Sequence, residues 1–224
     1  MWAGKTEVCM KTALIWDLDG TLIDSYGHII ECLLEIVIKN KIEMDYANIE
    51  RFVKQKSVHD FLLYLSGQSN VEISKLRDEY SEVSREKGDN AKLMQDAKDT
   101  LETLKSMSVR SYLFTHKGNS TQGVLRKLGI DKYFNEIINA SMGFARKPEP
   151  EAIDYLIEKY RLEKSSAYYV GDRDIDVQCA VNAGIKSILL ESEFVQSEAD
   201  YRIGSLNEIC GIVKLNDDYT NSKK

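Results

Sequence analysis

The stretch TALIWDLDGTLID, residues 12–24, sets a continuous apolar run, Ala13 to Trp16, directly before two carboxylates, Asp17 and Asp19, that flank a single leucine. A run that is continuous rather than alternating reads as a strand buried on both faces of a parallel sheet. Gly20 breaks it. In a sheet covered by helices on both faces, ligands bind at the carboxyl ends of the strands, so both aspartates are expected in that crevice. Side chains two apart on an extended chain point the same way, and like charges that close repel or raise one another's pKa. The pair therefore calls for a cation beside it or for a held proton. The ordinary alternative is an Asp-rich turn capping the next helix, since Asp-Gly is a common turn signal.

The bulk properties narrow the field. With 224 residues, 43% hydrophobic and 29% charged, the chain can form one large domain, or one domain and a smaller one. A formal charge of −6, with no basic stripe, argues against nucleic acid as a partner. No apolar stretch approaches the roughly 20 residues that span a bilayer, and the N-terminus has no signal-peptide core, so the expectation is a cytoplasmic protein without a membrane partner. Cys9, Cys32, Cys179 and Cys210 lie far apart without CxxC spacing and read as free thiols. Sequons at Asn119 and Asn139 carry no weight without secretion, and AGKT at residues 3–6 lacks the leading glycine of a phosphate-binding loop.

Texture divides the chain. From Ser25 to Asn90 apolar residues recur at helical spacing and proline is absent, which predicts an all-helical insert. From Gln95 onward, apolar runs (VRSYLFT, NEIINA, SAYYVGD, KSILL) alternate with helical patterns, which specifies an α/β fold with a doubly wound parallel sheet. The expected organisation is a core of residues 10–24 and 91–216, a helical domain of 25–90, and flexible ends at 1–9 and 217–224.

Three more polar clusters follow core runs. YLFTHKG ends a run with Thr115, whose hydroxyl, with the backbone N–H groups of a helix start, suits a phosphate. ARKPEP puts Lys147 in a loop before a helix opened by Pro148 and Pro150. YYVGDRDID ends a run with Asp172, then Asp174 and Asp176. Taken singly, these are a cap, a solvated lysine and an acidic first turn.

In this order and at strand ends, DLDGT at 17–21, Thr115, Lys147 and GDRDID at 171–176 resemble the four motifs of the haloacid dehalogenase superfamily of phosphotransferases. The helical insert looks like the cap of its phosphoglycolate phosphatase and β-phosphoglucomutase branch, and ADYRIGSLNEI resembles that branch's last strand and helix. The resemblance implies a Rossmann-like core and a phosphatase mechanism. Asp17 would be the nucleophile on phosphorus and Asp19 the general acid and base. Mg2+ would sit on Asp17, the Asp19 carbonyl and Asp172, with Asp176 close by. Lys147 would neutralise Asp17 and the phosphoryl group, and Thr115 would hold a phosphoryl oxygen. An acid at position 19 favours phosphoryl transfer over dehalogenation, because halide leaves without a proton.

Three positions depart from the family pattern: Trp16 stands for the usual phenylalanine, His116 for a small or amide residue, and Arg173 follows Asp172. His116 is expected to donate its backbone N–H, or else to touch substrate with its imidazole; Arg173 is either solvated or a substrate contact. Candidate readers of the substrate's non-phosphate part are Tyr26 and His28 at the hinge, then Arg51, Lys54, Lys56 and His59. The expected partner is a small phosphorylated metabolite, of phosphoglycolate or sugar-phosphate type, handled by a monomer or weak homodimer. The same motifs serve a phosphomutase of the β-phosphoglucomutase type, and a non-catalytic phospho-ligand binder is a third reading.

Overall fold

In the computed structural model, which describes residues 12–88, 91–192 and 194–221, the apolar run is β1 (Ala13–Trp16), at the centre of a six-stranded sheet. Its continuity has a direct cause. Leu14 and Trp16 face one apolar cluster, while Ala13 and Ile15 face a second on the opposite side of the sheet, and all four are fully buried. The Trp16 indole keeps its polar atom satisfied by donating Nε1–H to Ser111 Oγ at 3.2 Å.

The chain leaves the core through β2 (Ile23–Asp24) and enters four helices: α1 (Tyr26–Lys39), α2 (Tyr46–Gln55), α3 (Val58–Ser69) and α4 (Ile73–Lys87). It returns through β3 (Lys92–Leu93), which pairs antiparallel with β2, so that a short ribbon carries both crossings. The four helices bury a cluster of their own, with Ile30, Leu33, Ile36, Phe61, Leu65 and Leu76 fully or nearly fully buried. Asp45 and Ser57 cap α2 and α3 by accepting N–H bonds from Asn48 and Asp60.

The core continues as α5 (Ala97–Ser106), β4 (Arg110–Phe114), α6 (Thr121–Leu128), β5 (Glu136–Ile138), α7 (Glu151–Tyr160), β6 (Ala167–Gly171), α8 (Asp174–Ala183), β7 (Lys186–Leu190), β8 (Tyr201–Ile203) and α9 (Ile209–Asn221). The strand order is β5-β4-β1-β6-β7-β8 and every neighbouring pair is parallel. Successive strands run outward from β1 to β5, and the chain then recrosses to place β6 on the other side of β1. That reversal opens a crevice at the carboxyl ends of β1, β4 and β6. Those ends are followed by Asp17, Thr115 and Asp172.

No described helix is long and apolar enough to cross a membrane. Cys32, Cys179 and Cys210 are free thiols. Residues 1–9 and 222–224, where flexible ends were expected, and Cys9 lie outside the described residues, while the backbone of 217–221 continues α9.

Candidate active site

Beyond β1 the backbone keeps its pairing for one more residue, the Asp17 N–H donating to Val170 O at 2.8 Å, and the Asp17 side chain is nearly fully buried. Gly20 then turns the chain at φ +88; a Cβ there would stand 2.4 Å from both Asp172 Oδ2 and the Tyr26 ring. Only glycine supplies that conformation and that clearance.

β6 ends in Gly171, where a Cβ would lie 2.4 Å from Asp176, and Asp172 follows. Both Asp172 oxygens accept bonds, Oδ1 from the Thr21 hydroxyl at 3.2 Å and Oδ2 from the Tyr26 hydroxyl at 2.8 Å. Asp176 is the third residue of α8 and accepts the Arg173 N–H at 3.1 Å, so it closes the helix's first turn while facing the crevice. Lys147 is buried and its Nζ bridges two of these groups: it donates to Asp17 Oδ1, and to Asp176 Oδ1 at 2.8 Å. The rings of Phe114 and Tyr169 flank the ammonium, with centroids 5.4 Å and 5.1 Å away.

Asp17, Asp172 and Asp176 thus converge, each offering an oxygen within 4.8 Å of the others'. Burial pushes Asp17 up to about 7, against the pull of Lys147 and with the push of Asp176. Burial likewise pushes Asp172 up to about 6, offset in part by Arg173. On Lys147, burial disfavours the charge, but Asp17 and Asp176 outweigh it and hold the ammonium above its ordinary value. Three carboxylates around one ammonium and one guanidinium are short of positive charge. Asp17 Oδ2 is buried without a hydrogen-bond partner. Three converging, buried carboxylates that offer only oxygen and lack positive charge suit a hard divalent cation, and these residues fit Mg2+.

The Asp19 carboxylate stands apart from the three and faces Lys117, its Oδ1 3.6 Å from Nζ. Thr115 is buried at the end of β4, its hydroxyl oxygen accepting the Lys117 N–H at 3.1 Å. The His116 imidazole makes a contact the sequence did not point to: Nε2 accepts the Lys147 backbone N–H at 2.9 Å. Burial, with the nearby charges of Lys147 and Arg146, pushes its pKa down to about 2, so the ring is neutral.

Tyr26 belongs to the cluster through its bond to Asp172, and the Lys54 ammonium sits 5.4 Å over its ring. His28 is not brought to the cluster. It lies on the side of α1 that packs against α4, and its Nε2 is 3.2 Å from Ser84 Oγ. Of the other candidates, Arg51 is exposed, Lys54 pairs with Glu50 at 2.7 Å, and His59 Nδ1 lies 2.9 Å from Arg77 Nη2. Lys56 contributes its carbonyl, which accepts Arg173 Nη1–H at 3.2 Å and joins the α2–α3 loop to the core. Asp174 turns away from the cluster to accept the Gln196 and Ser197 N–H groups. Lys117 was not anticipated, although its place two residues past a strand-end threonine is a usable signal. A cavity of about 500 Å³, lined by Gly20, Tyr26, Lys54, Asp172, Glu191 and Phe194 among others, opens beside Asp172 between the helical insert and the core.

A family model described as haloacid dehalogenase-like hydrolase matches residues 14–190. The chain is 26% identical over 218 residues to a phosphoglycolate phosphatase of Vibrio parahaemolyticus, covering 90% of this chain and 96% of that protein. It is 29% identical over 183 residues to the pyrophosphatase PpaX of Bacillus velezensis, covering 79% and 81% of the two chains. A solved haloacid dehalogenase-like protein of Streptococcus pneumoniae superposes with a TM-score of 0.78 at 26% identity, over 90% of this chain and 97% of that one.

Proposed function

The chain belongs to the haloacid dehalogenase-like hydrolases, and on that footing we propose that it is a magnesium-dependent phosphatase, acting on a small phosphorylated metabolite through an aspartyl-phosphate on Asp17. What carries the proposal is the asymmetry of one carboxylate. Asp17 Oδ1 takes the Lys147 ammonium while Oδ2 is buried without a hydrogen-bond partner. A carboxylate fixed at one oxygen and desolvated at the other is set up for nucleophilic attack.

Asp17 Oδ2 attacks phosphorus as the bond from phosphorus to the leaving oxygen breaks, and Asp19 gives that oxygen its proton. Asp19, now ionised, takes a proton from water, whose oxygen attacks the phosphoryl group and releases Asp17 and inorganic phosphate. The Thr115 hydroxyl and the Lys147 ammonium hold the equatorial oxygens, where charge accumulates. Asp17, Asp172 and the Asp19 carbonyl would hold Mg2+, with Asp176 close by; the ion supplies, when bound, the positive charge that lets a phosphate approach carboxylates.

Residues 25–90 act as a cap over the core of 10–24 and 91–216, held down by the Arg173 bond to Lys56 O and the Tyr26 bond to Asp172. Closure excludes water from the phosphoryl group. His59 and Arg77 on the cap and Arg146 on the core lie near enough that both arginines, after burial, hold the His59 pKa down. The Asp60 carboxylate lies in the same seam, and two arginines against it leave a net positive charge that supports a substrate with a second anionic group, such as phosphoglycolate.

The test is phosphate release from a panel of phosphorylated metabolites and p-nitrophenyl phosphate, with and without Mg2+. Magnesium-dependent release is expected. Conversion of β-glucose 1-phosphate to the 6-phosphate without free phosphate, given a trace of the bisphosphate, would overturn the hydrolase in favour of a mutase. Tight binding of a phosphometabolite with no turnover of any compound would overturn catalysis altogether.

A further inference from the structure

We propose that His116 is a positioning residue for Lys147: in its neutral Nδ1–H form it fixes, through Nε2, the backbone of the loop that delivers the Lys147 ammonium to Asp17. Lys147 lies in the loop between β5 and α7, and nothing in the sheet ladder holds its amide. The Lys147 N–H instead donates to His116 Nε2 at 2.9 Å, across 31 residues of chain. An amide N–H can only donate, so Nε2 must be the bare acceptor and Nδ1 must carry the ring proton.

The ring stands edge-on to Phe114, centroids 5.9 Å apart at 81°, and Phe114 in turn flanks the Lys147 ammonium. Among the described residues Nδ1 is buried without a hydrogen-bond partner, so the bond through Nε2 is the ring's one polar tie. One lysine is thus gripped at both ends, at its amide by His116 and at its ammonium by Asp17 and Asp176. The imidazole also joins the end of β4, which bears Thr115, to the Lys147 loop, so the two groups assigned to the phosphoryl oxygens share one frame. A protonated ring could not serve, because Nε2–H would face the amide N–H. The neighbouring Lys147, Arg146 and Arg173 charges, with burial, oppose that protonation. Misplacing a charged group by about 1 Å can cost on the order of 10²-fold in rate.

The catalytic part of the proposal rests on the phosphatase reading; the hydrogen bond does not, and the tests separate them. Glutamine can place an amide oxygen near the position of Nε2, whereas methionine fills the space without a comparable acceptor. With p-nitrophenyl phosphate and Mg2+, His116→Met is expected to lower kcat about 10- to 100-fold with little change in KM, and His116→Gln to recover most of it. Equal impairment of the two variants, or a wild-type kcat in His116→Met, overturns the positioning role; so does a loss confined to KM, which would make the ring a substrate contact. Nitrogen-15 NMR of histidine-labelled wild-type protein reads the tautomer without any activity. The three histidines are assigned from His28 and His59 variants. A proton on Nδ1 and a bare Nε2 from about pH 6 to pH 8 are expected for His116, and a protonated Nε2 overturns the proposal even if no His116 variant can be purified.

Discussion

Asp176 takes the Lys147 ammonium on Oδ1 at 2.8 Å and the Arg173 backbone N–H on Oδ2 at 3.1 Å, so one carboxylate is both a helix cap and half of a buried ion pair. The two roles separate under substitution. Asp176→Asn keeps an oxygen for the Arg173 amide but no charge for Lys147, whereas Asp176→Ala loses both. Asp176→Ala is expected to destabilise by about 1–3 kcal/mol, since it leaves the buried Arg173 amide without its acceptor while Lys147 retains Asp17. Asp176→Asn should cost clearly less stability and still lower kcat by at least about 10-fold. Urea denaturation and steady-state kinetics of the two variants check this, and equal loss of stability in both would show that the ion pair alone matters and the cap adds nothing.

Asp17→Asn should abolish turnover while sparing the fold. Removing one of three crowded carboxylates relieves repulsion, and Lys147 retains Asp176 as its partner. Loss of the nucleophile should exceed the 10²–10⁴-fold that one acid–base group contributes, so residual activity above about a hundredth would contradict the assignment.

The metal-free protein should lose stability as the pH rises. Asp17, at about 7, and Asp172, at about 6, stand above the ordinary aspartate value. Between roughly pH 4 and pH 7 the folded chain therefore binds more protons than the unfolded one. The stability these two groups contribute is fully present below that window and is lost as the pH climbs through it. Magnesium needs the carboxylates ionised, so it should raise the melting temperature more at pH 8 than at pH 5. Melting curves with EDTA and with millimolar Mg2+ at both pH values decide it; an equal increment at the two would rule out Asp17 and Asp172 as the ion's ligands.

How much of this is legible in the sequence follows from what spacing can encode. β1 is legible because its run is apolar on both faces, and Asp17, Thr115 and Asp172 because each follows such a run. The β2–β3 ribbon is not, since two residues per strand cannot show alternation. The directions of side chains between elements are equally hidden. Nothing in the spacing tells that the Tyr26 hydroxyl reaches Asp172, that the His116 ring accepts from the Lys147 amide, or that the Arg173 guanidinium meets a cap carbonyl. His28 shows the converse: near the hinge in sequence, it points into the cap because helical periodicity puts position 28 on the face that packs against α4.

Arg173→Lys should weaken cap closure more than it disturbs the carboxylates. Lysine keeps the positive charge beside Asp172 and Asp176 but loses the planar fork that reaches the Lys56 carbonyl at 3.2 Å. The expected result is a fall of about 10-fold in kcat/KM for the physiological substrate, with a much smaller fall for p-nitrophenyl phosphate, which needs little from the cap. A uniform loss on both substrates would place the effect at the carboxylates instead.

Lys117 stands 3.6 Å from the Asp19 carboxylate, where it bears most on the second half-reaction. There Asp19 takes a proton from the attacking water, and the ammonium beside it holds the carboxylate in place for that transfer. An activated aryl phosphate needs no proton from Asp19 in the first half-reaction, so the two steps can be separated. Lys117→Met removes the charge and keeps most of the side-chain volume. Hydrolysis of the phospho-enzyme should slow by about 10-fold or more, while its formation from an activated aryl phosphate, whose leaving group needs no proton, is spared. A burst of p-nitrophenol equal to the enzyme concentration should then precede the steady state. If Lys117→Met instead slows formation and shows no burst, Lys117 acts on the substrate rather than on Asp19.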